Sequence, residues 1–121
     1  MNSKKIAYTV LIFSLVAVAA NSIYLHLSIK KITERTELTS VYSKNAEDEY
    51  RELHDYYKLH EHIISLTVNH DDLESIDDAY FEIIGALEIG DTDSASIAKS
   101  RLLGALLHLK RLSGINIDSI I

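Results

Sequence analysis

Six carboxylates are concentrated in one short stretch of this chain, VNHDDLESIDDAYFEI, which runs from Val68 to Ile83 and contains no lysine or arginine. Carboxylate oxygens bind divalent cations, and Glu74, Asp78 and Glu82 recur every four residues, which places them on one helix face. A calcium loop requires oxygen ligands at set positions around a central glycine, and this stretch has no glycine. We therefore interpret the stretch as a solvated acidic face, partly balanced by a neighbouring basic helix, and predict no metal site.

The turn before this face contains three candidate binding residues. The run Asp71-Asp72-Leu73-Glu74 predicts a helix N-terminus, with Asp71 as the cap and Glu74 completing a capping box. The preceding His70 can donate a hydrogen bond to a free carbonyl at the end of the previous helix, or it can sense pH or contact a ligand. His70, Asp71 and Asp72 are therefore weak binding candidates, with helix capping as the structural alternative.

Two adjacent tyrosines are the other weak candidates. Tyr56 and Tyr57 could form a contact patch for a partner because tyrosine is enriched at interfaces, although packing within the fold is the alternative. His54, His60 and His62 lack the i, i+4 spacing that zinc prefers on a helix. No serine or threonine lies in a recognisable nucleophile motif. The sequence thus predicts no catalytic residue, no metal and no cofactor, and we expect a protein that is not an enzyme.

Composition narrows the function classes further. The net charge of −6 disfavours nucleic acid as a partner, because phosphate binding requires a basic patch. Cysteine is absent, which removes disulfides and thiol chemistry. The first glycine is Gly85, so no glycine-rich phosphate loop precedes it.

An apolar segment near the N-terminus predicts a membrane anchor. Ile6–Ile29, with the sequence IAYTVLIFSLVAVAANSIYLHLSI, contains no lysine, arginine, aspartate or glutamate. As a helix, its 24 residues reach about 36 Å, which exceeds a hydrocarbon core of about 30 Å. The small-residue pattern at 17–19 also fits a cleaved signal peptide. Apolar residues continue past that pattern, and Tyr8 and Tyr24 lie near the two ends, so we favour an uncleaved anchor.

The orientation of this segment is nearly balanced by charge. Lys4 and Lys5 precede it, while Lys30, Lys31 and Arg35 follow it. We expect the short basic tail, residues 1–5, to remain inside the cell and the helical domain to lie on the extracytoplasmic side of the cell membrane. Residues 30–45 are either an extension of the membrane helix or a loosely ordered stalk.

Three further helices are predicted within residues 46–121. The first begins near Asn45, the second at Asp71, and the third extends from about Ser94 to Leu112, where Ser113-Gly114 ends it. The first has two apolar stripes, Tyr50, Leu53, Tyr57, His60 and Ile64 beside Tyr56, Leu59, Ile63 and Leu66. The second and third carry seams spaced by three and four residues, Leu73, Ile76, Tyr80, Ile83 and Leu87, and Ala95, Ala98, Leu102, Ala105, Leu109 and Leu112. We expect an all-α fold: a transmembrane helix, a stalk and a small antiparallel three-helix bundle, with the tail INIDSII lying back over the bundle.

Several of these features resemble the bacterial family called domain of unknown function 4363. The similarity covers roughly residue 50 to the C-terminus and the anchor, and it includes Asn69-His70, Asp71-Asp72 and the apolar tail around Asn116. Members commonly have tryptophan in the helix that contains Tyr56-Tyr57, whereas this chain has none. The resemblance implies a single-pass membrane protein of Gram-positive bacteria and supplies no activity.

Taken together, these patterns favour a membrane-tethered interaction or accessory module, which associates with itself or with a polytopic membrane protein. One alternative is a membrane-anchored sensor that binds a small ligand or a pH signal in its helical domain. Another is a phage-type envelope or lysis protein, which also combines an anchor with a helical domain.

Overall fold

A computed structural model describes residues 2–66 and 68–120, with side chains up to Leu112. The described chain forms four helices and no strand: α1, Asn2–Leu38; α2, Ala46–Ile64; α3, His70–Glu88; and α4, Thr92–Ile120. The predicted all-α class is therefore confirmed. The three helices expected after the anchor are α2, α3 and α4.

The first helix continues past the anchor into the segment expected to be a helix extension or a stalk, and it ends at Leu38. α1 contains 37 residues, about 55 Å of helix, and it is long and apolar enough to cross a membrane. Its described residues before Ala19 are all exposed. From Leu25 onward one side is buried, including Ile29, Ile32 and Thr36. Residues 30–38, from the segment expected to be either a helix extension or a stalk, thus extend the helix and contribute to the core.

The core lies where four helices meet. α1 packs against α2 and α4, and α3 packs against the same two helices, while the described parts of α1 and α3 have no close backbone contact. Across that diagonal, side chains meet instead: the Tyr80 hydroxyl lies 3.4 Å from the Thr36 hydroxyl. The expected three-helix arrangement is not confirmed, because the second half of α1 also shares the core.

The predicted seams of α3 and α4 are buried within the chain. Leu73, Ile76, Tyr80 and Ile83 are almost fully buried, as are Leu102 and Leu109. On α2, however, only one of the two predicted stripes is covered. Tyr50, Leu53, Tyr57 and Ile64 are buried, whereas the stripe with Leu59, Ile63 and Leu66 is exposed and Tyr56 is half-buried.

A short turn joins α3 to α4. Gly90 adopts φ +73°, a left-handed backbone conformation that costs glycine little because glycine has no Cβ. The amide of Gly90 donates to the Leu87 carbonyl, and the amide of Asp91 donates to the Ala86 carbonyl, which together form a Schellman motif. The carboxylate of Asp91 then accepts from the hydroxyl and the amide of Ser94, and these hydrogen bonds lower the pKa of the carboxyl. Gly90 therefore ends α3 and allows the chain to turn into α4.

The end of α4 differs from the prediction. Its backbone remains helical through Ile120, so Ser113-Gly114 does not end it and that prediction was wrong. Gly114 can continue a helix at a modest cost when no capping contact diverts the chain. The side chains of 113–121 lie outside the described residues, and so does the predicted packing of the INIDSII tail.

Two side chains hold the C-terminal end of α1 against the domain. The Lys99 ammonium on α4 donates to the carbonyls of Glu37 and Thr39, at 3.3 and 2.8 Å. The Tyr50 hydroxyl on α2 also donates to the Thr39 carbonyl, at 2.7 Å. A cation and a donor at this end satisfy carbonyls that have no partner within the helix.

Candidate functional site

His70, Asp71 and Asp72 lie together at the beginning of α3. The cap is Asn69, whose side-chain oxygen accepts from the Asp71 amide at 3.2 Å, so the predicted capping role of Asp71 was wrong. Asparagine is as good an N-cap as aspartate, and Asn69 lies directly before the first helical residue, which is the N-cap position. The side chains of His70 and Asp71 are exposed.

Asp72 links the beginning of α3 to α4. Its carboxylate lies 3.8 Å from Nε2 of His108, and both groups are partly exposed. This pair adds little stability because solvent screens it and because histidine is charged only when protonated. It nevertheless fixes which residue of α4 lies beside the α3 N-terminus.

The groove beside His70 is shallow and open. It has a volume of about 370 Å3 and is lined mainly by polar and charged side chains of α2, its C-cap and α3, namely Lys58, Glu61, His62, Ser65 and His70, together with Leu73. Ligand pockets are more enclosed and more apolar than this groove. Its geometry therefore gives no specific support to a small-ligand site at His70.

Tyr56 and Tyr57 occupy different environments although they are adjacent. Tyr57 is fully buried, and its hydroxyl donates to the Leu73 carbonyl at 3.4 Å. Tyr56 is half-buried between α1 and α2, with the Lys31 and Arg35 cations 5.6 and 4.7 Å from its ring centroid. Such cation–π contacts stabilise the packing of α2 on α1. The two residues do not form one patch.

The acidic face of α3 is partly paired with α4. The guanidinium of Arg101 donates to both carboxylate oxygens of Glu82, whereas Glu74 and Asp78 are exposed to solvent. The described residues contain no group of three or more histidine, aspartate or glutamate side chains placed to hold a metal ion. Along Glu74, Asp78 and Glu82, the arrangement is that of a solvated face with one interhelical ion pair.

A polar cluster that the sequence analysis did not anticipate lies between α2 and α3. Nε2 of the buried His54 is 3.0 Å from Asp77, and the other oxygen of Asp77 accepts from Lys58 at 2.9 Å. Lys58 also pairs with Glu61 at 2.8 Å. The groups satisfy one another, which is the requirement for burying polar side chains at low cost.

The electrostatics of this cluster favour the charged form of Asp77. Partial burial would raise the pKa of its carboxyl, but hydrogen bonds from Lys58 and His54 outweigh burial and hold the pKa below its ordinary value. Two aromatic rings enclose the imidazole, since Tyr80 and Phe81 lie 5.2 and 4.8 Å from it between centroids. The cluster therefore stabilises the packing of α2 against α3.

Buried tyrosine hydroxyls complete the interior. Burial raises the pKa of Tyr80 to about 12, and it also raises the pKa values of Tyr50 and Tyr57. All three side chains are fully buried, and each hydroxyl has a partner on another part of the chain. Phenols that remain protonated and paired are suited to fixing the helix register rather than to acid–base chemistry at neutral pH.

The remaining histidine contact connects α2 to the apolar segment of α1. The hydroxyl of Tyr24 lies 2.6 Å from Nδ1 of His60. The ring of Tyr56 also contacts His60, at 4.7 Å between centroids. Sequence spacing gave no signal for this pairing, because 36 residues separate Tyr24 from His60.

Comparison with known proteins gives no assignment: neither a family model, a curated protein nor a solved structure matches this chain. The resemblance to domain of unknown function 4363 stays a prediction. Function is therefore inferred from the residues and geometry of the chain itself.

Proposed function

We propose that this chain is a single-pass membrane protein whose helical domain acts as an interaction or accessory module for a partner in the same membrane. One observation carries this proposal: α1 is a single helix whose first half exposes apolar side chains and whose second half buries one side in the domain core. A helix of this kind couples the domain directly to the membrane segment.

The domain is proposed to be an antiparallel bundle of α2, α3 and α4, completed by the second half of α1. Contacts between α3 and α4 support this direction, because Glu82 pairs with Arg101 while the earlier Asp72 meets the later His108. Three-residue and five-residue connections also suit antiparallel neighbours.

An uncleaved anchor is supported by the apolar residues beyond the small-residue pattern. Ile23 and Leu27 are 52% and 57% exposed. Cleavage after Ala19 would leave both side chains in water, whereas an intact anchor places them in or near lipid. We propose the extracytoplasmic side of the cell membrane for the domain, with Lys4 and Lys5 remaining inside.

A heterologous membrane partner is favoured over self-association through the bundle. The seams of α3 and α4 that could have joined two copies are buried within one chain, at residues such as Ile76 and Leu102. Most exposed large apolar residues of the described chain belong instead to α1. A polytopic membrane protein would contact that helix within the bilayer.

Site-specific photocrosslinking in cells tests this proposal. A photoreactive phenylalanine analogue at Phe13 in the apolar segment should give one discrete protein adduct, whose mass identifies either a second copy or another membrane protein. The analogue at Phe81, which is 59% exposed on the domain, provides a matched position of the same residue type. Absence of any discrete adduct at both positions would contradict an interaction module.

A further inference from the structure

The end of α2 carries an exposed apolar stripe that the core does not use. Leu59, Ile63 and Leu66 are spaced by four and three residues, so they lie on one side of the helix and of the turn that follows it. Their side chains are 76%, 37% and 73% exposed. Single exposed apolar residues are ordinary on a protein surface, but three that lie along one side of an element indicate a contact surface.

The register between α1 and α2 places this stripe beside the apolar segment of α1. Near the start of α2, Tyr50 meets Thr39, and near its end, His60 meets Tyr24. As α2 advances, it therefore runs back along α1 toward the N-terminal, apolar part. Each residue beyond His60 moves about 1.5 Å in that direction, so the stripe extends to the level of Tyr24 and of the residues before it.

The solvent exposure of residues along α1 agrees with this register. The described residues before Ala19 are all exposed, whereas Ala19, Asn21 and Ser22 are partly covered. On the uncovered side at the same level, Ile23 and Leu27 remain exposed. The domain thus extends alongside the apolar segment of α1, whose uncovered side also carries apolar residues.

Resting on the membrane anchor proposed above, we propose that Leu59, Ile63 and Leu66 lie in the lipid of the bilayer that α1 crosses, at its interfacial boundary. The stripe and the exposed residues Ile23 and Leu27 then form one apolar surface at the membrane boundary. Apolar side chains at this boundary gain stability from burial in the acyl region. The domain is seated in the membrane surface rather than held above it.

The charges at this end of the domain indicate which lipids suit the contact. Asp71 and Asp72 lie in the first turn of α3, shortly after the stripe. Carboxylates repel anionic headgroups, so the contact depends on apolar burial and does not require anionic lipid. Zwitterionic phosphatidylcholine is therefore the appropriate probe.

Depth-dependent fluorescence quenching tests the inference, because the chain contains no tryptophan. The full chain carrying Leu66→Trp or Leu59→Trp is reconstituted in phosphatidylcholine vesicles with brominated acyl chains. Phe13→Trp provides the reference within the membrane segment. Ile89→Trp provides the reference at the far end of the domain, where the native side chain is 78% exposed. Circular dichroism verifies that each variant keeps its helical content.

We expect brominated lipid to reduce the emission of the Phe13, Leu66 and Leu59 variants and to leave that of Ile89→Trp unchanged. If Phe13→Trp is quenched but the emission of both stripe variants is not, the lipid contact is overturned and the proposed membrane anchor is retained. A blue-shifted but unquenched signal in that case would assign the stripe to protein, such as a second copy. An unquenched Phe13→Trp would overturn the anchor and this inference with it.

Discussion

Asp77 is the residue whose surroundings tie α2 to α3 most directly. Its two oxygens bind different partners on α2, the imidazole of His54 and the ammonium of Lys58. Its own side chain is 15% exposed, so solvent weakens these hydrogen bonds less than it weakens the surface pairs of the domain. Removing the charge would leave Lys58 with Glu61 as its remaining acidic partner.

The lowered pKa of Asp77 gives a direct prediction about acid stability. Because the folded-state pKa lies below the ordinary 3.8, the carboxylate stabilises the fold above about pH 3.8. That contribution is lost as the pH falls through the folded-state pKa. We expect Asp77→Asn to reduce the free energy of unfolding by about 1–2 kcal/mol at pH 7, and by less at pH 3.

Urea unfolding in detergent at the two pH values measures this difference. The neighbouring Asp78→Asn serves as the control, since Asp78 is exposed and none of the described ion pairs includes it. A loss for Asp77→Asn that is equal at pH 7 and pH 3 would show that the carboxylate charge is not the source of the stabilisation.

At the scale of the elements, α1 has two roles in one helix. Its apolar first half has the length and composition of a membrane span, while Ile29 and Ile32 in its second half are buried in the domain. Thr33 and Thr36 also lie in the buried part, and their hydroxyls donate to carbonyls one turn earlier in the helix. Such bonds allow a polar residue to be buried in a helix.

A pair of substitutions in α1 tests the second role. Ile32→Ala should reduce the free energy of unfolding by about 2–5 kcal/mol, because it removes a fully buried side chain and leaves a cavity. Leu38→Ala, in the same helix, should change it by less than about 0.5 kcal/mol because Leu38 is 86% exposed. Equal effects of the two substitutions, measured by urea unfolding in detergent, would contradict a packed second half of α1.

Sequence patterns predicted the elements of this fold better than their packing. The three-four spacing of Leu73, Ile76 and Tyr80 identified the buried face of α3 because one stripe dominates that helix. On α2, two stripes are similarly apolar, and packing against α1 and α3 decides which one is covered. Ile32 and Thr36 had helical spacing, but the polar residues around them left a helix extension and a loose stalk equally open.

The candidate site was less predictable, because its contacts join distant parts of the chain. Asn69 could have been identified as the cap from its residue type and its place before an acidic first turn. His54 and Asp77 are 23 residues apart in the chain. Their pairing depends on the register between α2 and α3, which no local sequence pattern contains. The different environments of Tyr56 and Tyr57 depend on the same tertiary register.

At the scale of the whole molecule, the central claim is that α1 anchors the chain and also forms part of the domain core. No flexible stalk separates the two regions in the described chain, since α1 is helical from Asn2 to Leu38. A partner that contacts α1 in the bilayer would therefore also position the domain. This coupling supports the accessory role proposed above, beside another membrane protein.

Single-cysteine accessibility along α1 tests that claim most directly, because the native chain contains no cysteine. Cysteines at successive positions from 8 to 38 are treated in intact membrane vesicles of either orientation with a water-soluble maleimide. We expect uniform protection from 8 to about 20, because lipid surrounds this segment. Between 28 and 38 we expect alternation with helical period, in which positions 30, 34 and 37 react and positions 29, 32 and 36 do not. Uniform reactivity from 28 to 38 would indicate a loose stalk, and reactivity before position 20 or loss of that segment from the protein would contradict the anchor.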